Sequence, residues 1–92
     1  MGARRLPQFI PNRLRKHRRL QGYSQRDVAR LLGLKNANRI SKWERGCSAP
    51  DFLNFMKLSI LYHTIPFDLY FELFQELKGE LSAREQELFG SN

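Results

Sequence analysis

The chain has 92 residues, a single cysteine and a formal net charge of +7. That length fits one domain, or one domain with a tail, and a chain this short buries only roughly 60–65% of its unfolded surface, which leaves no room for a deep cleft between lobes. One cysteine cannot close an internal disulfide or build a four-ligand zinc site, so a reduced, cytoplasmic protein is expected. Apolar runs reach three or four residues, far short of the ~20 that span a bilayer, and no signal-peptide core follows the basic Met1–Arg5 segment. Positive charge in excess points to a nucleic acid before an anionic membrane.

The charge is segregated. Residues 1–46 carry 13 Lys and Arg against two acids, Asp27 and Glu44, a balance of +11; residues 47–92 carry three bases against seven acids, a balance of −4. A merely solubilising charge would be mixed along the chain. Segregation is expected when one surface meets a polyanion and another does not.

Helix signals dominate in chain order. Residues 1–11, with Pro7, Pro11, Arg4 and Arg5, read as a flexible basic arm. Asn12 is placed to cap a first helix from about Arg13 to Gln21, and Gly22 ends it. Ser24 caps the second helix, with Asp27 three residues on in a capping-box-like arrangement. That helix runs to Leu32, stops at Gly33, and is expected to bury Val28, Ala29, Leu31 and Leu32. Lys35-Asn36-Ala37-Asn38 is turn chemistry; a third helix is expected from about Ala37 to Arg45, with Asn36 as cap and Gly46 as stop. Asp51 caps a fourth helix, Phe52 to about Tyr62, with Phe52, Phe55, Met56, Ser59 and Tyr62 on one stripe. Pro66 opens a fifth helix. Its apolar stripe continues through Leu69, Tyr70, Leu73, Phe74, Leu77 and Leu81, with Gly79 as a possible break and Ser82 as a possible later cap. No strand pattern is present, so the fold class is all-α.

The second and third helices meet the demands of a helix-turn-helix. Close crossing needs a small residue on the first of the pair, which Ala29 supplies. The turn needs a residue that tolerates positive φ, which Gly33 supplies. Ile40 and Trp43 anchor the second of the pair inward, leaving Asn38, Arg39, Ser41 and Lys42 to face a duplex.

Ser24-Gln25-Arg26-Asp27-Val28-Ala29-Arg30-Leu31-Leu32-Gly33-Leu34, followed by Ile40-Ser41-Lys42-Trp43-Glu44-Arg45-Gly46 and Pro50, resembles the phage-repressor-like helix-turn-helix family of lambda repressor, Cro and xenobiotic-response-element regulators. The resemblance covers about residues 12–72. It implies a compact five-helix lambda-repressor-like DNA-binding domain, with residues 73–92 as a C-terminal helical extension. It implies that Gln25 holds a phosphate and braces the recognition helix, and that Arg18 pairs with Glu44. Ala37, Asn38 and Arg39 would read bases, Lys42 one turn later would do so with Ser41 nearby, and Arg45, Cys47 and Ser48 would lie along the backbone. Lys35, Asn36 and Arg15 join the candidate DNA contacts. Two departures stand out. Gly33 and Ile40 are seven positions apart where the family has six, which places one extra residue in Lys35–Asn38. His63 stands where the family often has glycine after its fourth helix.

The chemistry of reading suits these side chains. Asn pairs bidentately with adenine, Arg or Lys with guanine O6 and N7, and Ala37 can meet a thymine methyl. The expected function is a sequence-specific, double-stranded DNA-binding transcriptional regulator, a repressor by preference, acting on an inverted repeat at the nucleoid. The alternative is the antitoxin of a toxin–antitoxin pair, with a toxin as protein partner. Tyr70, Phe74, Leu77 and Leu81 recur at 4-3-4 spacing and are the candidate homodimer surface, against the simpler reading that they fold back on the chain's own core. His17 and His63 lack ligand spacing, and no nucleophile–base pair or glycine-rich phosphate cradle is present. No metal, cofactor, membrane partner or enzymatic activity is expected.

Overall fold

The computed structural model describes residues 9–90, so the expected arm residues Arg4 and Arg5 lie outside the described part. Helix α1 spans Leu14–Leu20, α2 Gln25–Leu31, α3 Asn38–Arg45, α4 Phe52–Leu61, α5 Pro66–Leu69 and α6 Phe71–Phe89. Among the described residues there is no strand.

Each of the first four helices ends in the same way. The chain turns back through a residue of positive φ, and an N–H five residues on reaches the last turn: Tyr23 to Arg18, Leu34 to Ala29, Cys47 to Lys42 and Thr64 to Ser59. This is the Schellman arrangement. Three of the turning residues are glycines, Gly22, Gly33 and Gly46; the fourth is His63, at φ 55°. The substitution seen in the sequence therefore leaves the turn in place and fills it with a side chain that costs about 1–2 kcal/mol in this backbone region. Gly46 has a second constraint. A Cβ there would lie 2.6 Å from the Ile10 carbonyl oxygen, because Ile10 N–H donates to Gly46 O at 2.9 Å. The end of the expected arm is thus pinned to the end of α3.

The expected caps Ser24 and Asp51 form, whereas α1 and α3 start from Arg13 and Ala37 without a side-chain cap, one residue beyond the expected Asn12 and Asn36. Ser24 and Asp27 form a reciprocal capping box. Asp51 accepts from Asn54 N–H at the start of α4. Asn12, one residue before the α1 cap, accepts from Leu14 N–H and donates to Trp43 O, and so ties the approach to α1 to α3. The extra residue before α3 is absorbed in a bend in which Asn36 Oδ1 accepts from Asn38 N–H at 2.9 Å. The third helix accordingly begins at Asn38, one residue later than expected.

Leu14, Val28, Ala29, Ile40, Trp43, Leu58, Tyr62 and Leu69 form the core, and Tyr23, Leu32, Leu34, Ala37, Phe55, Leu61 and Tyr70 pack around it. Two stripe assignments are corrected. Leu31 is exposed, and Leu34 beyond the turn packs in its stead. In α4 the buried line is Phe55, Leu58, Ser59 and Tyr62, an i, i+3, i+4, i+7 set. Phe52 and Met56 are rotated off that line and stand exposed.

The C-terminal part also differs. The backbone breaks at Tyr70 (φ −129°, ψ 39°), leaving a one-turn α5 and a separate α6. The described residues therefore carry the five helices of the expected domain and the expected C-terminal helical extension as a separate α6, which starts at Phe71. Gly79 does not interrupt α6 and Ser82 does not start a new helix. One glycine costs about 1 kcal/mol in a helix, and the Glu, Leu, Lys, Gln and Arg around it are strong helix formers. Helix α6 buries none of its residues, and the molecule is drawn out to 53 × 27 × 20 Å.

Candidate nucleic-acid interface

Helix α3 has two sides. Ile40, Trp43 and Glu44 point inward. At 100° per residue the direction opposite to them is held by Asn38, Lys42 and Arg45, an i, i+4, i+7 stripe that is exposed throughout. Ser41 lies on one flank, half-buried, and accepts from Arg45 Nε at 3.2 Å. Arg39 lies on the other flank. Its guanidinium is 5.3 Å from the centre of the Trp43 ring and 3.3 Å from Asp51 Oδ1. Of the side chains proposed to read bases, Arg39 is therefore held aside, while Asn38 and Lys42 share the outward line.

The inward side is locked by one carboxylate. Glu44 Oε2 accepts from Arg18 Nε at 2.6 Å; Oε1 accepts from Gln25 Nε2 at 2.9 Å, Arg18 Nη2 at 3.0 Å and Arg15 Nε at 3.3 Å. Arg18 Nη1 also donates to Tyr23 O. The Glu44 side chain is 1% exposed and that of Arg18 is 9% exposed. Burial by itself pushes the Glu44 carboxyl up, but hydrogen bonds from Arg18, Gln25 and Arg15 outweigh it and hold the group below its ordinary range. The expected Arg18–Glu44 pair is present, and Gln25 and Arg15 join it. A single carboxylate on α3 thus fixes two side chains from α1 and one from the start of α2. Gln25, expected to hold a phosphate and brace the recognition helix, directs its amide donor at Glu44 of α3.

The remaining candidates divide by place. Lys35 and Asn36 are exposed in the bend before α3, whereas Ala37 is half-buried against the core. Arg15, 48% exposed, lies at the α1 edge. Lys16 and Arg19 are exposed on α1. Sequence reasoning missed Arg26 and Arg30. They flank a concavity of about 550 Å³ between α2 and the bend, which Lys35 closes from the other side. Their i, i+4 spacing on α2 was the available signal, since it stacks two cations on one face.

One cationic side chain expected on the basic surface turns elsewhere. Arg13 Nε and Nη2 donate to Glu72, Nη1 donates to Asp68 at 3.1 Å, and the guanidinium lies 4.8 Å from the Phe71 ring centre. Arg13 N–H also donates to Leu69 O. Asp68 lies 2.7 Å from His17 Nε2 as well. This cluster fastens the start of α6 to α1. The arginine count of the first half therefore overstates the cations available to a duplex.

No helix is long and apolar enough to cross a membrane among the described residues, and the described residues hold no cluster of His, Cys, Asp and Glu suited to a metal ion. Against known proteins, the helix-turn-helix family model matches residues 14–69. No curated protein and no solved structure matches the chain. The matched span begins at the first residue of α1 and ends at the last of α5, and it encloses the capping box, the Gly33 turn and the α3 stripe. The chain belongs to the helix-turn-helix family of the lambda-repressor and xenobiotic-response-element type, and is a DNA-binding transcriptional regulator.

Proposed function

We propose that the chain is a repressor that binds an inverted-repeat operator as a homodimer in the cytoplasm, each copy laying α3 in the major groove. The observation that carries this reading is the outward stripe of Asn38, Lys42 and Arg45 opposite the anchors Ile40 and Trp43. Asn38 and Lys42 read base edges, Asn toward adenine and Lys toward guanine. Arg45, one turn further along, meets the backbone. Arg39, steered by Asp51 and Trp43 to the flank, serves a phosphate rather than a base. Gln25, Lys35, Asn36 and Arg15 meet the phosphate backbone and set register, with Ser41 and Ala37 adjoining the reading residues along the chain. Residues 12–72 are the reading unit, and residues 73–92 serve the pairing of subunits.

Selection from random duplex DNA tests the reading directly. An enriched inverted repeat with half-sites about one helical turn apart is the expected result. On the selected site Lys42→Ala is expected to lose about 1–3 kcal/mol, with little change on random duplex. Arg15→Ala is expected to weaken both alike and to reduce the salt slope by roughly one unit. Equal losses on selected and random DNA for Lys42→Ala would remove it from base reading.

A further inference from the structure

Helix α6 has two halves with different surroundings. Its first half lines an apolar groove of about 240 Å³ with α4 and α5, formed by Phe55, Phe67, Tyr70, Leu73, Phe74 and Leu77. The Phe67 ring packs edge-on to Phe74 and Phe71 at the groove's rim. The second half projects away from the core, and there Leu81 is 65%, Leu88 62% and Phe89 83% exposed. The seam read from the sequence is therefore divided: Tyr70 packs on the chain's own core, and from Leu81 onward the helix face is exposed. It continues past Leu81 in the same 3-4 rhythm, through Arg84 to Leu88.

We infer that this face is covered by α6 of a second copy running antiparallel, so that the projecting half of each helix fills the groove beside the other's first half. The inference deepens the dimeric reading above and rests on it. Antiparallel alignment sets Leu77 beside Leu88 of the second copy. It brings that copy's Phe89 to the Phe67–Phe74 rim. Each copy has one groove and one projecting apolar end, so a two-fold axis satisfies both at once, as an isologous interface requires.

Charge selects the direction. In a parallel pair Arg84 would face Arg84 in the seam, and Glu80 would lie beside Glu85 of the other helix. The antiparallel pair places Arg84 against Leu81, with Glu80 and Glu87 of its own helix one turn to either side, and Arg84 Nε is already 3.8 Å from Glu87. It also sets Lys78 beside Glu85 of the second copy on one flank, and Glu80 beside Glu87 on the other, each twice by symmetry, so the flanks balance and the Arg84–Arg84 contact of the parallel pair decides the direction. The area is sufficient. With about 200 Å² for a fully exposed Phe or Leu side chain, the exposures of Phe67, Phe74, Leu77, Leu81, Leu88 and Phe89 amount to roughly 700 Å² per copy. A standard interface takes about 800 Å² from each partner.

Sedimentation equilibrium and cysteine cross-linking test the arrangement. The protein is expected to sediment at twice its 10.9 kDa mass. Leu81→Lys, at a position 65% exposed, is expected to sediment as a monomer with unchanged helical circular dichroism. In a Cys47→Ser background, Leu77→Cys combined with Leu88→Cys is expected to give an oxidised dimer in high yield, and Leu88→Cys alone is not. A dimer that survives Leu81→Lys, or one cross-linked by Leu88→Cys alone, overturns this interface while leaving a dimeric regulator standing. A monomer for the unmodified protein overturns both, whereas an operator without two-fold symmetry strikes only the reading of function.

Discussion

Replacing Glu44 by glutamine tests the largest single electrostatic commitment in the domain. The substitution keeps the volume of the side chain and removes its charge. Arg18, whose side chain is 9% exposed, then remains buried opposite a neutral amide. Breaking a buried pair by removing one partner costs about 3–5 kcal/mol. Glutamine retains one acceptor oxygen for Gln25 or Arg18, so the expected loss is nearer 2–3 kcal/mol, still a large share of a small domain's stability of roughly 5–10 kcal/mol. Urea unfolding followed by circular dichroism at pH 7 measures it. The pH dependence is a second reading of the same contact. The folded carboxyl titrates below its unfolded value, so its contribution is fully present above the ordinary range near pH 4.3 and is lost as the pH falls through the lower, folded value. The gap between the parent protein and Glu44→Gln should therefore be constant from pH 7 to about pH 5 and close under acid. A second substitution sharpens the test. Arg18→Met with Glu44→Leu removes both charges together and is expected to recover much of the loss, since paired apolar replacements of buried ions are often neutral. A Glu44→Gln variant within about 0.5 kcal/mol of the parent at pH 7, or a gap that widens in acid, would refute the carboxylate as the lock between α1, α2 and α3.

Other positions give further checks. His63→Gly should stabilise the domain by about 0.5–1 kcal/mol, the left-handed cost relieved less the added freedom of the unfolded chain; a rise of a few degrees in Tm supports this and a fall contradicts it. Gly46→Ala should go the other way by at least about 2 kcal/mol, because φ 80° disfavours a side chain and its Cβ would meet the Ile10 carbonyl at 2.6 Å. Denaturant midpoints for the two variants on either side of the parent would bear out both turns. Ser24→Ala should lose about 1 kcal/mol by opening the capping box, and a neutral result would show that Asp27 alone holds the start of α2.

Local chemistry settled much of this protein before any coordinates. Ser24 with Asp27, Asp51, and the Gly22, Gly33 and Gly46 stops each mark a helix end by a hydrogen bond or a backbone region that few other residues satisfy, so their positions could be read directly. The helix-turn-helix followed from Ala29, Gly33, Ile40 and Trp43, whose sizes and spacings answer to one packing problem. The family assignment and the all-α class came with them. Periodicity was a weaker guide. It defined an apolar stripe on α4 but left its centre a turn's fraction out, because Phe52 and Met56 are as apolar as the residues that the neighbouring helices actually cover.

What only the tertiary structure decided was the destination of long side chains. The family resemblance supplied the Arg18–Glu44 pair and the anchors of α3 left Lys42 outward, but nothing local separates Arg13 from Arg15. Folding brings Arg15 to Glu44 beside Arg18 and turns Arg13 to Glu72 and Asp68. The break at Tyr70 was equally invisible, since Leu69 and Tyr70 continue the apolar stripe on either side of it. A charge count sums over residues without regard to distance, whereas a guanidinium's partner is set by which carboxylate the packing brings within about 3 Å. The +11 of the first half is thus a property of the sequence, and the part of it that faces a duplex is a property of the fold.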